Sequence, residues 1–175
     1  MSNILIEKEV AFEKRMDLYM ERLYKFYGFG IIWDGDRQKD LTLIKDGKKQ
    51  LIEHKYRYFP DKVFDDILVE IMQDMISHNL GWIYVCGADY LHYIICKGER
   101  NDEYVSYYYN IKLHKFKIWL FDWLKIKQCP QYITSKKGYG ITLNLAVPIK
   151  EIPKYLIKRL EYKKGSDAMN IDWRV

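Results

Sequence analysis

Three residues of this sequence have types and spacing suited to one chemistry: Asp40, Glu53 and Lys55, which spell D-x12-E-x-K. Two carboxylates held side by side repel each other unless a cation lies between them. All-oxygen ligation with room left for water and phosphate is what Mg²⁺ prefers. Such an ion lowers the pKa of a bound water and neutralises charge that develops on a phosphodiester. A neighbouring ammonium orients the water or stabilises the added charge. The expected chemistry is therefore metal-dependent phosphodiester hydrolysis. Mg²⁺ or Mn²⁺ would be held by Asp40, Glu53 and the backbone carbonyl of His54, with Lys55 beside them.

Hairpin geometry gives this spacing physical content. Asp46-Gly47 is a two-residue turn signal between apolar runs. A two-residue turn pairs Lys45 with Lys48 and carries the register back through Thr42 and Leu51 to Asp40 and Glu53. Directly opposed residues share a face, with Cβ atoms roughly 4.5–5.5 Å apart, and this pair falls at a non-hydrogen-bonded position, the closer kind. Lys55 lies two residues beyond Glu53 and points the same way, while His54 points to the other face. A four-residue loop would keep the common face and a three-residue loop would break it. The competing interpretation is a solvated ion-pair ladder. Leu51 and Ile52 count against it, because they lead into Glu53 along an apolar strand.

The elements that must position these residues are legible as periodicities. Glu7 to Tyr27 reads as a helix closed by Gly28 and Gly30, and Phe29 to Trp33 as a short strand. Asp40 to Lys45 and Lys49 to Tyr56 form the hairpin. Asp61 caps an expected helix to about His78, with Val63, Ile67, Ile71 and Met75 at helical spacing. Trp82–Cys86, Leu91–Cys96, Tyr104–Tyr109 and Ile141–Val147 read as strands, Ile111–Lys127 as a buried helix and Ile152–Tyr162 as a final helix. This order predicts an α/β fold: one domain over residues 1–175, with helices packed on a mixed central sheet.

Composition and charge narrow the class. With 49% hydrophobic residues and 16% aromatics the chain can bury a real core. Three cysteines without a CxxC pair fit a reducing compartment. The apolar run Gly81–Cys96 is broken by Asp89 and too short to span a bilayer, and the N-terminus has no signal-peptide pattern, so a cytoplasmic protein without a membrane partner is expected. No GxxxxGK[ST] or GxGxxG is present, which argues against nucleotide-driven chemistry. Residues 1–109 hold 15 Lys/Arg against 19 Asp/Glu, whereas residues 110–164 hold 13 against 3. An acidic catalytic core joined to a basic helix/strand/helix extension suits a metal site beside a phosphate-binding surface. Lys112, Lys115, Lys136 and Lys137 are the expected nucleic-acid contacts.

At Asp40, Glu53-His54-Lys55, the helix carrying Phe12-Glu13 and the Gly-containing turn, residues 10–86 resemble the PD-(D/E)XK nuclease superfamily. The resemblance is to Mrr-type restriction endonucleases and Holliday junction resolvases in particular. It implies a restriction-endonuclease-like domain that cuts DNA, with RNA as an alternative substrate. It also implies a glutamate lent by the first helix, matched by Glu13 with Asp17 and Glu21 as alternatives on the same face, and a glutamine after E-x-K, matched by Gln73. Two departures are plain: Lys39 stands where the superfamily has proline, and Asp34 and Asp36 are rival ligands. A chain this short has little length for base readout, so structure-selective or weakly specific cleavage is expected. A homodimer would bring two centres to two strands. The alternative function is a catalytically inactive nucleic-acid-binding module of the same fold.

Overall fold

The computed structural model describes residues 2–34, 40–58, 65–98, 104–128, 131–136 and 140–161. The elements are α1 (Ser2–Phe26), β1 (Gly30–Trp33), β2 (Leu41–Lys45), β3 (Lys48–Tyr58), β4 (Asp66–Asp74), β5 (Asn79–Leu80), α2 (Trp82–Val85), β6 (Tyr90–Lys97), β7 (Tyr104–Lys112), α3 (Leu113–Leu124), β8 (Gln131–Lys136), β9 (Gly140–Pro148) and β10 (Ile157–Glu161). A six-stranded sheet runs β1-β2-β3-β6-β7-β10, and a four-stranded sheet runs β5-β4-β9-β8. Among the described residues β3 and β6 are the one parallel pair, and every other neighbouring pair is antiparallel. The α/β class and the mixed central sheet expected from sequence are both present.

Strand β6, at the centre of the six-stranded sheet, is buried on both faces, which is why Leu91–Cys96 reads as a mostly apolar run rather than an alternating one. One face carries His92, Ile94 and Cys96 towards α1, whose Met16, Met20 and Tyr24 recur at i+4 and complete that core with Leu41, Leu43 and Ile52. Each such side chain contributes roughly 1.5–3 kcal/mol when fully buried. The other face carries Leu91, Tyr93 and Ile95 into a second core with α2, α3 and the small sheet, through Trp82, Phe116, Leu120, Val69 and Val147. Tyr108 and Tyr109 on β7 are buried and pack in these two cores.

Local signals account for α1 and the hairpin. Gly28 has φ 78°, its N–H donates to the Lys25 carbonyl at 3.0 Å, and the Phe29 N–H donates to the Tyr24 carbonyl at 3.0 Å. These are the paired bonds of a glycine-ended helix. Asp46 and Gly47, with φ 50° and 74°, form the two-residue turn, and the register runs from Lys45–Lys48 to Leu41–Ile52 as the turn type requires.

Three expectations are corrected. The segment expected to be helical up to His78 is strand β4 over Asp66–Asp74 (residues 61–64 lie outside the described residues). Ile67 and Val69 are its fully buried positions, so the operative period is two, and pairing with β9 along Asp66–Pro148 to Glu70–Asn144 decides it. Trp82–Val85 is a short helix, not a strand: Trp82, Ile83 and Cys86 are buried while Tyr84 and Val85 are exposed. The expected C-terminal helix is replaced by turns and by β10, which pairs with β7 from Ile157–Ile111 to Glu161–Tyr107. The charge boundary at 109/110 falls inside β7, and the basic part is built into both sheets.

Candidate active site

The site lies where β3 outruns its neighbour. Pairing with β2 stops at Leu41–Ile52, but β3 continues to Tyr58, so this edge of residues 53–58 has no strand partner among the described residues. Asp40 sits at the point where the edge opens. Its N–H donates to the Ile52 carbonyl at 2.9 Å, and its Oδ2 accepts the His54 N–H at 2.6 Å. The ladder thus ends one residue short of the expected Asp40–Glu53 pair. The Asp40 carboxylate instead lies along the strand edge, satisfying a donor that β2 does not reach.

Glu53 and Lys55 share the face turned towards β4 and α2, as their spacing predicts. Glu53 is buried, Lys55 is about one-third exposed, and Lys55 Nζ stands 2.5 Å from Glu53 Oε1. With Asp40 they line a cleft of about 590 Å³, whose other walls include Glu70 and Gln73 on β4, Leu80, Trp82 and Val85. Gln73 lines the cleft from strand β4, where the resemblance implies a glutamine on a helix. Burial raises the Glu53 carboxyl above its usual range; the Lys55 ammonium opposes this, Asp40 adds to it, and hydrogen bonds from Lys55 and the Cys86 thiol oppose it further. Burial pulls Lys55 downward, but the charges of Glu53, Asp40 and Glu70 outweigh it and hold the ammonium above its ordinary value. Lys117 on α3 donates to the Cys86 carbonyl at 2.6 Å; burial lowers its pKa against the charges of Cys86 and Glu53.

A second cavity, of about 410 Å³, opens on the α1 side of the same edge and shares Asp40, Lys55 and Tyr56 with the first. Glu13, Asp17, Trp33, Asp34, His54 and Tyr56 complete its lining. Of the three acids on one helical face, Glu13 and Asp17 reach this cavity. Glu21 is engaged elsewhere, accepting from Lys25 Nζ at 2.5 Å and Trp33 Nε1 at 3.2 Å. Asp17 accepts the Tyr56 hydroxyl at 2.6 Å, and Asp34 accepts the Thr42 hydroxyl at 3.0 Å. Asp36 and Lys39 lie outside the described residues.

Beneath the edge, His54 faces the α1 core. The Tyr24 hydroxyl lies 2.8 Å from His54 Nε2 and 2.6 Å from His92 Nδ1, and the Tyr56 hydroxyl 3.0 Å from His54 Nδ1. Burial, followed by the charge of His54, drives the His92 pKa well below the usual histidine value, which keeps that ring neutral. Arg57 is committed to Asp66, pairing with its carboxylate and donating to its carbonyl at 3.2 Å, so it ties β3 to β4.

The expected phosphate contacts are only partly described. Lys112, at the end of β7, and Lys115, on α3, are exposed. Lys136 belongs to β8, and Lys137 lies outside the described residues. Sequence reasoning missed Glu70, Trp82, Cys86 and Lys117. A signal existed for Glu70 alone: it is the one acid inside the apolar run Ile67–Met72. No model of a known family, no curated protein and no solved structure matches this chain. Among the described residues no helix is long and apolar enough to cross a membrane.

Proposed function

We propose that this chain is a metal-dependent nuclease that hydrolyses DNA phosphodiester bonds, with Asp40, Glu53 and Lys55 at its centre. The observation that carries the reading is the open edge of β3, where a buried glutamate, an aspartate and a lysine line one cleft. A strand edge without a strand partner among the described residues leaves an extended polymer a place to lie against the site.

The donor set fits a hard divalent cation. Among the described residues no three His, Cys, Asp or Glu side chains converge as a ready-made cage. Mg²⁺ commonly takes one or two carboxylates and completes its shell with water and substrate phosphate. Asp40 and Glu53 would supply those carboxylates. The His54 carbonyl is the further oxygen, because a strand residue's N–H and C=O leave on the same edge and its N–H points to Asp40. Bound there, the ion would activate water and offset charge on the scissile phosphate. The protein's own part is to hold the Lys55 ammonium in the cleft, where it stabilises the additional negative charge as water adds to phosphorus and the P–O bond breaks. Glu13 and Gln73 are auxiliaries placed at the two cavities, and Lys112 and Lys115 are outer phosphate contacts.

One observation favours a second reading. Lys55 is closed on Glu53 at 2.5 Å, as a non-catalytic nucleic-acid-binding module would keep it. Incubation of the purified protein with duplex, branched and single-stranded DNA, and with RNA, in Mg²⁺ or Mn²⁺ separates the two. Cleavage that is lost in Glu53→Gln and Lys55→Ala, with binding retained, supports the nuclease. Binding without cleavage of any substrate supports the module.

A further inference from the structure

The cleft contains a carboxylate that the mechanism above leaves unused. Glu70 lies on β4 and lines the cleft together with Lys55. Its backbone position is fixed by an irregularity: against β9 the register of β4 shifts between Glu70 and Met72. Bulges of this kind re-aim side chains and are frequent beside active sites. Gly81 packs into the irregular stretch. Its N–H donates to the Ile71 carbonyl at 2.9 Å, and a Cβ at this position would lie 2.2 Å from the Glu70 carbonyl oxygen. The next residue, Trp82, directs its N–H to Glu70 Oε1 at 3.3 Å, and its ring lies 5.8 Å from Lys55 Nζ. Glycine, bulge and tryptophan together hold Glu70 on the wall facing the lysine.

Lys55 itself is engaged with Glu53. A divalent ion at Glu53 competes with the ammonium for the charge of one carboxylate, so metal ligation weakens the hold of Glu53 on Lys55. The cleft lining holds three carboxylates (Asp40, Glu53 and Glu70) and, with Arg57 committed to Asp66, one ammonium. Among the described lining residues the carboxylates therefore outnumber the ammonium by two, the charge of one divalent ion, while the Lys117 ammonium acts on Glu53 from outside the lining.

We propose that Glu70 is a positioning residue that takes over Lys55 when a divalent ion binds at Asp40 and Glu53. The inference rests on the metal-dependent reading given above. Lys55 stays protonated throughout and no covalent bond changes. The ammonium exchanges one carboxylate for another, remains near the Trp82 ring and is held in the cleft at the moment substrate needs it. This distinguishes Glu70 from an additional metal ligand, whose loss would weaken metal binding whether or not Lys55 is present.

The test is Mn²⁺ binding, followed by electron paramagnetic resonance in the absence of DNA, for wild type, Glu70→Gln, Lys55→Met and the double variant. Glutamine keeps an oxygen for the Trp82 N–H. Glu70→Gln should weaken Mn²⁺ binding about tenfold in the wild-type background, the coupling expected of residues in contact. It should weaken it less than about twofold beside Lys55→Met, where no ammonium has to be moved. Equal losses in both backgrounds, or no loss in either, would overturn the role of Glu70 and leave the metal centre standing. Mn²⁺ that binds neither wild type nor Lys55→Met would remove the metal centre and this inference with it. Should Glu70→Gln fail to fold, Glu70→Asp, which keeps the charge but shortens the reach, must show the same dependence on Lys55.

Discussion

Replacing Lys55 with methionine would strip the ammonium from Glu53 while keeping most of the side-chain stem. The Glu53 side chain is 7% exposed and that of Lys55 is 33% exposed, so the pair is buried on the acid's side and partly wet on the base's. Removing one partner of a buried pair costs about 3–5 kcal/mol. Solvent around Lys55, together with the Cys86 thiol and the Lys117 charge that also act on Glu53, argues for a smaller cost, about 2–3 kcal/mol near neutral pH. The cost must depend on pH, and its sign follows from linkage. Burial already raises the Glu53 carboxyl, and losing Lys55 removes the strongest opposing influence, so the folded variant binds this proton more tightly than the unfolded chain. Stability contributed by that proton is present below the ordinary carboxylate range and is lost as pH rises through the raised folded value. Each tenfold tightening of proton binding adds about 1.4 kcal/mol to the deficit at high pH. Urea unfolding with a chelator present should therefore give a larger deficit at about pH 8 than at about pH 5. At a slope of about 2 kcal/mol per molar the midpoint should move by roughly 1 M at the higher pH. Equal midpoints for the two proteins, or the same deficit at both pH values, would refute the claim that Lys55 holds a buried, ionised Glu53.

Tyr24→Phe should cost about 1–3 kcal/mol in the same assay, because it removes a buried hydroxyl that lies within hydrogen-bond distance of both His54 and His92; a change under about 0.5 kcal/mol would mean that the network repairs itself. Gly81→Ala should lower the melting temperature and Mn²⁺ affinity together, at about 1–3 kcal/mol or more, since the new Cβ meets the Glu70 backbone. Gly28→Ala, with φ 78° and nothing within 4 Å, should cost only about 1 kcal/mol and leave Mn²⁺ affinity unchanged. Lys112→Ala with Lys115→Ala should weaken DNA binding for all sequences and flatten its salt dependence by about one unit per lost contact, read by fluorescence anisotropy across salt concentrations; an unchanged slope would place DNA elsewhere.

Features governed by neighbours in the chain were legible from the sequence. The Asp46-Gly47 turn sets the β2–β3 register, since the two-residue loop and the period of two leave no freedom, and it places Glu53 and Lys55 on one face with His54 on the other. The helical spacing of Met16, Met20 and Tyr24, ended by Gly28, specifies α1 in the same way. What depends on distant partners was not legible. Ile67, Ile71 and Met75 fit a helix as well as a strand, and pairing with β9, which begins at residue 140, and with the short β5 makes Asp66–Asp74 a strand. The same holds for Ile157–Glu161, which β7 draws into the large sheet. Tertiary contacts also select among the acids: Tyr56 engages Asp17, Lys25 and Trp33 engage Glu21, and Gly81 against the β4 bulge brings Glu70 to the cleft. Local periodicity encodes which face of an element is apolar, but backbone groups must be paired somewhere, and the partner that pairs them is chosen by the whole fold.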